Sequence, residues 1–288
     1  MQNPQVKFLI LIALSTVFLA LSQPAAAQDL FDNDVERSPK GWSRFNVALG
    51  LAYLDADGFL AAKLPGLPPV TIIDFDRVGL KETDSSHWLS MTWRSEKSRW
   101  GAWFGNWRYD VNGARSWENE VQIPDGPLIP VGAWVESEFD ATWYILEATY
   151  SIFRTETVDA GLGIGVHTVD VDTRLKAQVN IGEEQVEVVQ GDLKTLAPLP
   201  NILAYVHWEF LPRWDLIGRF GWFGLDYDKY SGQMTNAHLM VSYAISDRFS
   251  LGGAYQFVSL DVDAEEKRYT QKYDVDFGGP MAFLRFRF

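Results

Sequence analysis

Apolar and polar residues alternate with a period of two along most of this chain, which is the pattern of extended strands with one apolar flank. From Val158 to Thr168 the even positions Val158, Ala160, Leu162, Ile164 and Val166 share one face, while Asp159, Gly161, Gly163, Gly165 and His167 share the other. The rule repeats from Phe45 to Tyr53, where Phe45, Val47, Leu49, Leu51 and Tyr53 oppose Asn46, Ala48, Gly50 and Ala52. It returns from Asn201 to Phe210 and from Asn236 to Ile245. A face of glycine, histidine and charge does not suit a water-soluble core, but the crowded lumen of a closed barrel accepts it.

The connections give the topology. Short turns at Ser95–Ser98, Arg154–Thr157, Leu211–Arg213 and Ser246–Arg248 alternate with long polar connections near 56–85, 112–137, 176–196 and 264–272, and with a shorter one near Tyr230–Gln233. Ten strands are predicted, near 42–55, 86–95, 99–111, 138–153, 157–175, 198–211, 214–229, 234–246, 249–263 and 273–288. Eight or twelve stay open, because 99–111 carries rings on both faces and 69–83 has room for another hairpin. The fold class is all-β: a transmembrane antiparallel up-and-down β-barrel with short periplasmic turns and long extracellular loops.

Composition sharpens this picture. The chain has 12 Trp, 11 Tyr and 18 Phe, yet its mean hydropathy is −0.11, so its rings are not gathered into a continuous apolar span. Barrels place rings at the two membrane interfaces. Residues 1–27 read as a secretory signal peptide, with Lys7, an apolar run from Phe8 to Leu21, and Ala25-Ala26-Ala27 before a cut between Ala27 and Gln28. That run is shorter than the roughly 20 residues a membrane-crossing helix needs. Residues 28–40 are expected to form a flexible periplasmic lead and 41–288 the barrel domain. There is no cysteine, which excludes disulfides and thiolate-held metal. Losing the leader removes one of 25 basic residues and none of 38 acids, giving a net charge of −14 and excluding nucleic acid as a natural partner.

The final stretch, GPMAFLRFRF, puts Ala282, Leu284, Phe286 and Phe288 on one face with Arg285 and Arg287 on the other. It resembles the C-terminal assembly signal of Gram-negative outer-membrane proteins, with Leu284, Phe286 and Phe288 as its signal residues. The mature chain as a whole resembles the small outer-membrane β-barrel proteins. That resemblance implies residence in the cell outer membrane, contact with membrane lipid and lipopolysaccharide, and passage through periplasmic chaperones and the outer-membrane assembly machinery.

Strand parity turns Glu147, His167, His207, Glu209, Arg219, His238, Ser242 and Arg285 inward. This lumen cluster reads either as a filled interior with paired charges or as a polar conduit with a proton-linked gate. The His-x-Ser of barrel lipases and deacylases and the Asp-x-His of omptin proteases are both missing from the sequence, and the nearest nucleophile set is Thr83-Asp-Ser-Ser-His87. An Asp-x-Asp pair recurs six times: Asp55/Asp57, Asp74/Asp76, Asp170/Asp172, Asp226/Asp228, Asp261/Asp263 and Asp274/Asp276. At strand tops these pairs are either the ordinary polar end of a strand or a candidate rim for Ca²⁺ or Mg²⁺, and through it for lipopolysaccharide phosphates. No other cofactor is expected. The apolar loops near 56–70 and 121–135 suit a small apolar ligand or a protein partner. Three classes follow: a narrow or gated channel or apolar-ligand binder, a structural or surface-interaction barrel, and a lipid-modifying enzyme.

Overall fold

A computed structural model of the chain describes residues 44–63, 70–75, 80, 83–116, 121–122, 128–129, 131–181, 184–227, 230–265 and 270–288. The leader at 1–27 with its Ala27/Gln28 cut, the 28–40 lead, and Asp76 and Asp228 lie outside the described residues.

Ten long strands form the wall: β1 (Phe45–Lys63), β2 (Thr83–Arg94), β3 (Trp100–Ser116), β4 (Trp134–Arg154), β5 (Val158–Ile181), β6 (Glu184–Leu211), β7 (Trp214–Tyr227), β8 (Tyr230–Ala244), β9 (Phe249–Glu265) and β10 (Thr270–Arg287). Each pairs antiparallel with its chain neighbour, and β10 returns to β1 with Phe286 opposite Val47 and Leu284 opposite Leu49. The extra segment Val70–Asp74 folds back on the top of β1, so it adds no wall strand. Segments 121–122 and 128–129 pair only with each other. The ring-rich segment is one strand, with Trp103, Trp107 and Tyr109 buried in the lumen and Trp100 outside.

At the short-turn end, side-chain hydroxyls take the turn amides. Ser95 Oγ accepts from Lys97 (3.3 Å) and Ser98 (3.1 Å), and Thr155 Oγ1 accepts from Thr157 (3.3 Å) and Val158 (3.0 Å). This is the local reason that serine and threonine punctuate the strands there. Above these turns an outward band carries Leu51 (73% exposed), Ile164, Ile202, Phe220, Leu239, Leu251 and Leu284. Ring pairs edge it near the turns: Phe45 on Phe288, Trp214 on Tyr243, and Phe249 on Phe286. Tyr53, Tyr144 and Trp222 stand exposed toward the far side.

Four expected loops are largely strand. β5 runs to Ile181 and β6 starts at Glu184, inside the expected 176–196 connection; the 264–272, 112–137 and 56–85 connections shrink likewise, and Tyr230–Gln233 is strand. Beyond the band the outward residues become Glu136, Glu138, Asp140, Asp170 and Arg174, while Val135, Phe139, Ala141 and Val169 stay buried inside. Without a lipid-facing apolar flank such a stretch reads as loop, although its backbone ladder continues into water. Between Asp170 and Ile181 this extension spans about 40 Å of strand.

Two ladders stop short among the described residues: β6–β7 ends at Trp222 opposite Ile202, and β2–β3 leaves a seam. The β2–β3 ladder stops at Trp88 opposite Trp107. Above it Asp84 Oδ2 accepts the Asp110 amide (3.0 Å) and Ser86 Oγ accepts the Arg108 amide (3.2 Å), so side chains replace the missing backbone partners.

Leu51→Arg, in the outward band, should cost about 2–4 kcal/mol in urea unfolding from lipid vesicles, the cost of a cation near the bilayer midplane. Asp57→Arg, above the band, should cost far less. Equal costs would mean that the band is not where lipid sits.

Candidate functional site

The lumen is built in three layers. Nearest the short turns, Asp159 is fully buried and is paired with Arg94 and with Arg154 Nε (3.3 Å). Arg154 Nη2 donates to Ser151 Oγ (2.8 Å), which lies 2.8 Å from the Tyr205 hydroxyl, and that hydroxyl donates to Asp159 Oδ1 (2.9 Å). Two strands along the wall, Asp215 receives His207 Nε2 (3.1 Å), Arg285 Nη1 (2.5 Å) and the Ser242 hydroxyl. Taking a carboxylate out of water is costly unless a cation and hydrogen bonds replace the water, and both aspartates meet that condition.

One level up, Glu147 pairs with Arg219, whose guanidinium lies 4.7 Å above the Trp103 ring. His167 Nε2 sits 3.7 Å from Glu147 and faces the amide nitrogens of Asn201 (3.2 Å) and Asn236 (2.8 Å). Glycine makes room for this layer. A Cβ on Gly165 would meet Asn201 Oδ1 at 2.6 Å and Glu147 Cγ at 2.7 Å, and one on Gly221 would meet Asn201 Nδ2 at 2.7 Å.

The third layer is aromatic. Trp107 stacks on Trp143 (5.1 Å, 12°), and Phe277 packs edge-on against Trp107, Tyr109 and Trp143 at 5.5–5.9 Å. Phe139, Phe75, Trp88 and Phe283 extend the layer, and Met234, Val258, Leu199 and Leu54 complete it from the other walls. Trp88, Trp107 and Trp143 are 0–1% exposed. His238 sits against the underside of this layer, 5.6 Å from the Trp88 ring and 6.1 Å from Trp103.

The structure thus brings Glu147, His167 and Arg219 into one layer and His207 and Arg285 into another, around Asp215. His238 is held among rings, and Glu209 lines a cavity at the mouth. Sequence reasoning did not single out Arg94, Arg154, Asp159, Tyr205 and Asp215 as a network. The inward parity of Arg94, Asp159, Tyr205 and Asp215 was readable, but Arg154 is turned inward only by the bulge between Ser151 and Phe153, and nothing in a sequence says which inward groups meet in a barrel. The Thr83–His87 set lies at the seam. Buried Ser86 donates to the His87 carbonyl (3.1 Å), while the exposed His87 ring turns to Asn106 (3.3 Å), so hydroxyl and imidazole leave opposite faces of β2.

Of the rim aspartates, Asp55 and Asp57 on β1, Asp274 and Asp276 on β10, and Asp261 and Asp263 on β9 stand on neighbouring strands, with Asp57 opposite Asp276 and Asp261 opposite Asp274. Asp170 and Asp172 lie on the distant β5, and Asp226 lies in β7. Basic residues sit among the crown: Lys272 near Asp261 (3.4 Å) and Asp274 (4.0 Å), and Arg174 near Glu138 (3.0 Å) and Asp172 (3.7 Å). Among the described residues no three carboxylates or histidines gather as a metal site. Burial works against the Lys272 charge, but Asp261, Asp263 and Asp274 outweigh it and hold the ammonium above its usual range. Partial burial, then the facing Asp261, raise the Asp274 carboxyl.

A closed antiparallel wall, apolar outside and filled inside, with tight turns at one end and long extensions at the other, defines a transmembrane β-barrel of the outer-membrane class. Among solved structures the outer membrane protease OmpT of Escherichia coli superposes with a TM-score of 0.57 at 10% identity, covering 89% of this chain and 99% of that one. Neisserial surface protein A matches at TM-score 0.33 and 13% identity over 85% of this chain and 98% of that one. The Pseudomonas putida toluene transporter TodX matches at TM-score 0.32 and 9% identity, over 87% and 91%. No family model and no curated protein matches the chain. At 10% identity the OmpT likeness is one of fold and carries no activity over.

Two outcomes test this site. Asp215→Asn leaves Arg285 buried without its counter-charge and should cost about 3–5 kcal/mol in urea unfolding, whereas the double change Asp215→Leu with Arg285→Met should cost much less. A double variant as unstable as the single one would show that the pair is not what matters. For Asp274, the raised carboxyl means that ionisation is penalised in the folded chain; the penalty is present above its folded pKa and relieved as pH falls through it. Asp274→Asn should therefore raise the thermal midpoint at neutral pH, and the gain should vanish in acid.

Proposed function

We propose that this chain is a non-conducting outer-membrane barrel of the structural, surface-interacting kind. Its 1–27 leader exports it, and Leu284, Phe286 and Phe288 hand it to the assembly machinery. The observation that supports this reading is the aromatic layer. Stacked, buried rings from β2, β3, β4 and β10 and apolar side chains from β1, β5, β6, β8 and β9 form one contiguous buried cluster across the lumen. Such a layer disfavours the narrow-channel reading, because a hydrated ion would have to cross dry rings without any polar relay.

The outer face supplies the interaction surface. Crown aspartates and the extension's Glu136, Glu138, Asp140, Asp170 and Asp172 make it strongly acidic, in line with the chain's net charge of −13. Facing carboxylates such as Asp57 and Asp276 repel across the ladder. A field of this sign attracts Ca²⁺ or Mg²⁺ diffusely, and through them the phosphates of lipopolysaccharide, or a cationic partner surface. The lipid-modifying reading has no support from the seam, where Ser86 and His87 face apart.

Refolded protein in a planar bilayer should give no unitary current, and the double variant Trp107→Ala with Trp143→Ala should give fluctuating leak. Regular steps from the wild-type chain would restore the channel reading. Changed acylation of lipid A on expression in cells would restore the enzymatic one.

A further inference from the structure

Beneath the ionic layer the lumen opens into a cavity of about 390 Å³ that reaches the periplasmic mouth, where exposed Arg213, Ser246 and Asp247 edge it. Its walls carry Arg94, Arg213, Arg219, Arg285 and Arg287 against Glu209, Asp215 and Asp247. In a chain of net charge −13 this arginine-rich lining stands apart from the acidic outer rim. We propose that this vestibule binds a small soluble polyanion bearing phosphate or carboxylate groups, presented from the periplasmic side.

Three features carry the assignment. The volume lies in the range of small-molecule sites, which are concave and largely preformed. The acids that balance the deeper arginines are committed already: Asp159 and Glu147 sit behind the lining, and Asp215 is taken by Ser242, His207 and Arg285. Guanidinium offers five N–H donors and no acceptor, so the lining is donor-rich. A ligand made of acceptor oxygens is the chemical complement of such walls, and charge-assisted bonds to it are the strong kind. The surrounding low-dielectric sleeve concentrates the field toward the mouth. The site is independent of whether the lumen conducts, because the aromatic layer lies beyond it.

Trp103 and Trp214 line the cavity and report on it. Titrating the full refolded chain in a zwitterionic detergent with inorganic pyrophosphate, and separately with citrate, should change tryptophan fluorescence saturably, and glucose should not. Arg213→Gln and Arg287→Gln, at the mouth, should each weaken binding about tenfold, the loss of one charge-assisted bond, and Asp247→Asn should tighten it. Each variant is checked for the folded barrel's resistance to unfolding in cold detergent. If one fails that check, the same site is tested on the wild type by salt, which should weaken binding steeply. No saturable signal from folded wild type, or affinities indifferent to salt and to both arginine changes, would overturn the proposal. A saturable signal from phosphatidylglycerol added to the detergent micelles, with none from pyrophosphate or citrate, would give the site to a lipid headgroup and overturn the soluble-ligand assignment.

Discussion

Hydrocarbon offers a backbone no hydrogen bonds, so every N–H and C=O within it must be paired by the wall itself. Closure of β10 on β1 is how this chain meets that demand. The terminal Phe288 amide donates to the Phe45 carbonyl (2.8 Å), and the register runs from there through Leu284 opposite Leu49 to Thr270 opposite Lys63. Once the register is set, a period of two leaves no choice of face: Leu51, Ile164 and Leu284 meet lipid, and Asp159, His167 and Arg285 must go inside. The ionic lumen is thus a consequence of the lipid-facing pattern as much as a feature in its own right.

Inside, the chain meets two different physical problems at two heights. Toward the short turns the inward residues are charged, and they are made tolerable by mutual pairing: Asp159 by two arginines, Asp215 by Arg285, His207 and Ser242, and Glu147 by Arg219. Farther up they are aromatic and pack like the interior of a soluble protein. The small inward residues, Gly165 and Gly221 among them, let polar side chains of the flanking strands fold over them into the lumen.

Those ends differ in sign. The outer crown and extension are acidic, with Lys272 and Arg174 only partly offsetting the carboxylates, while the periplasmic vestibule is lined by five arginines.

The closed antiparallel barrel and the face of most wall residues were legible from alternation and turn spacing, because lipid enforces that alternation; the bulge between Ser151 and Phe153, which turns Arg154 inward, was not. The length of the strands was not: from Asp170 to Ile181 the outward residues are polar, and a strand standing in water has no lipid to mark its flank. Neither was the partnering of inward groups. His207 and Asp215 are eight positions apart, but Arg285 reaches the same aspartate from 70 positions away, and Trp107 finds Trp143 across a neighbouring strand. Which residues face inward is local stereochemistry, written in the order of the chain. Which of them touch depends on strand stagger and on the curvature of the closed wall, and only the assembled barrel decides that.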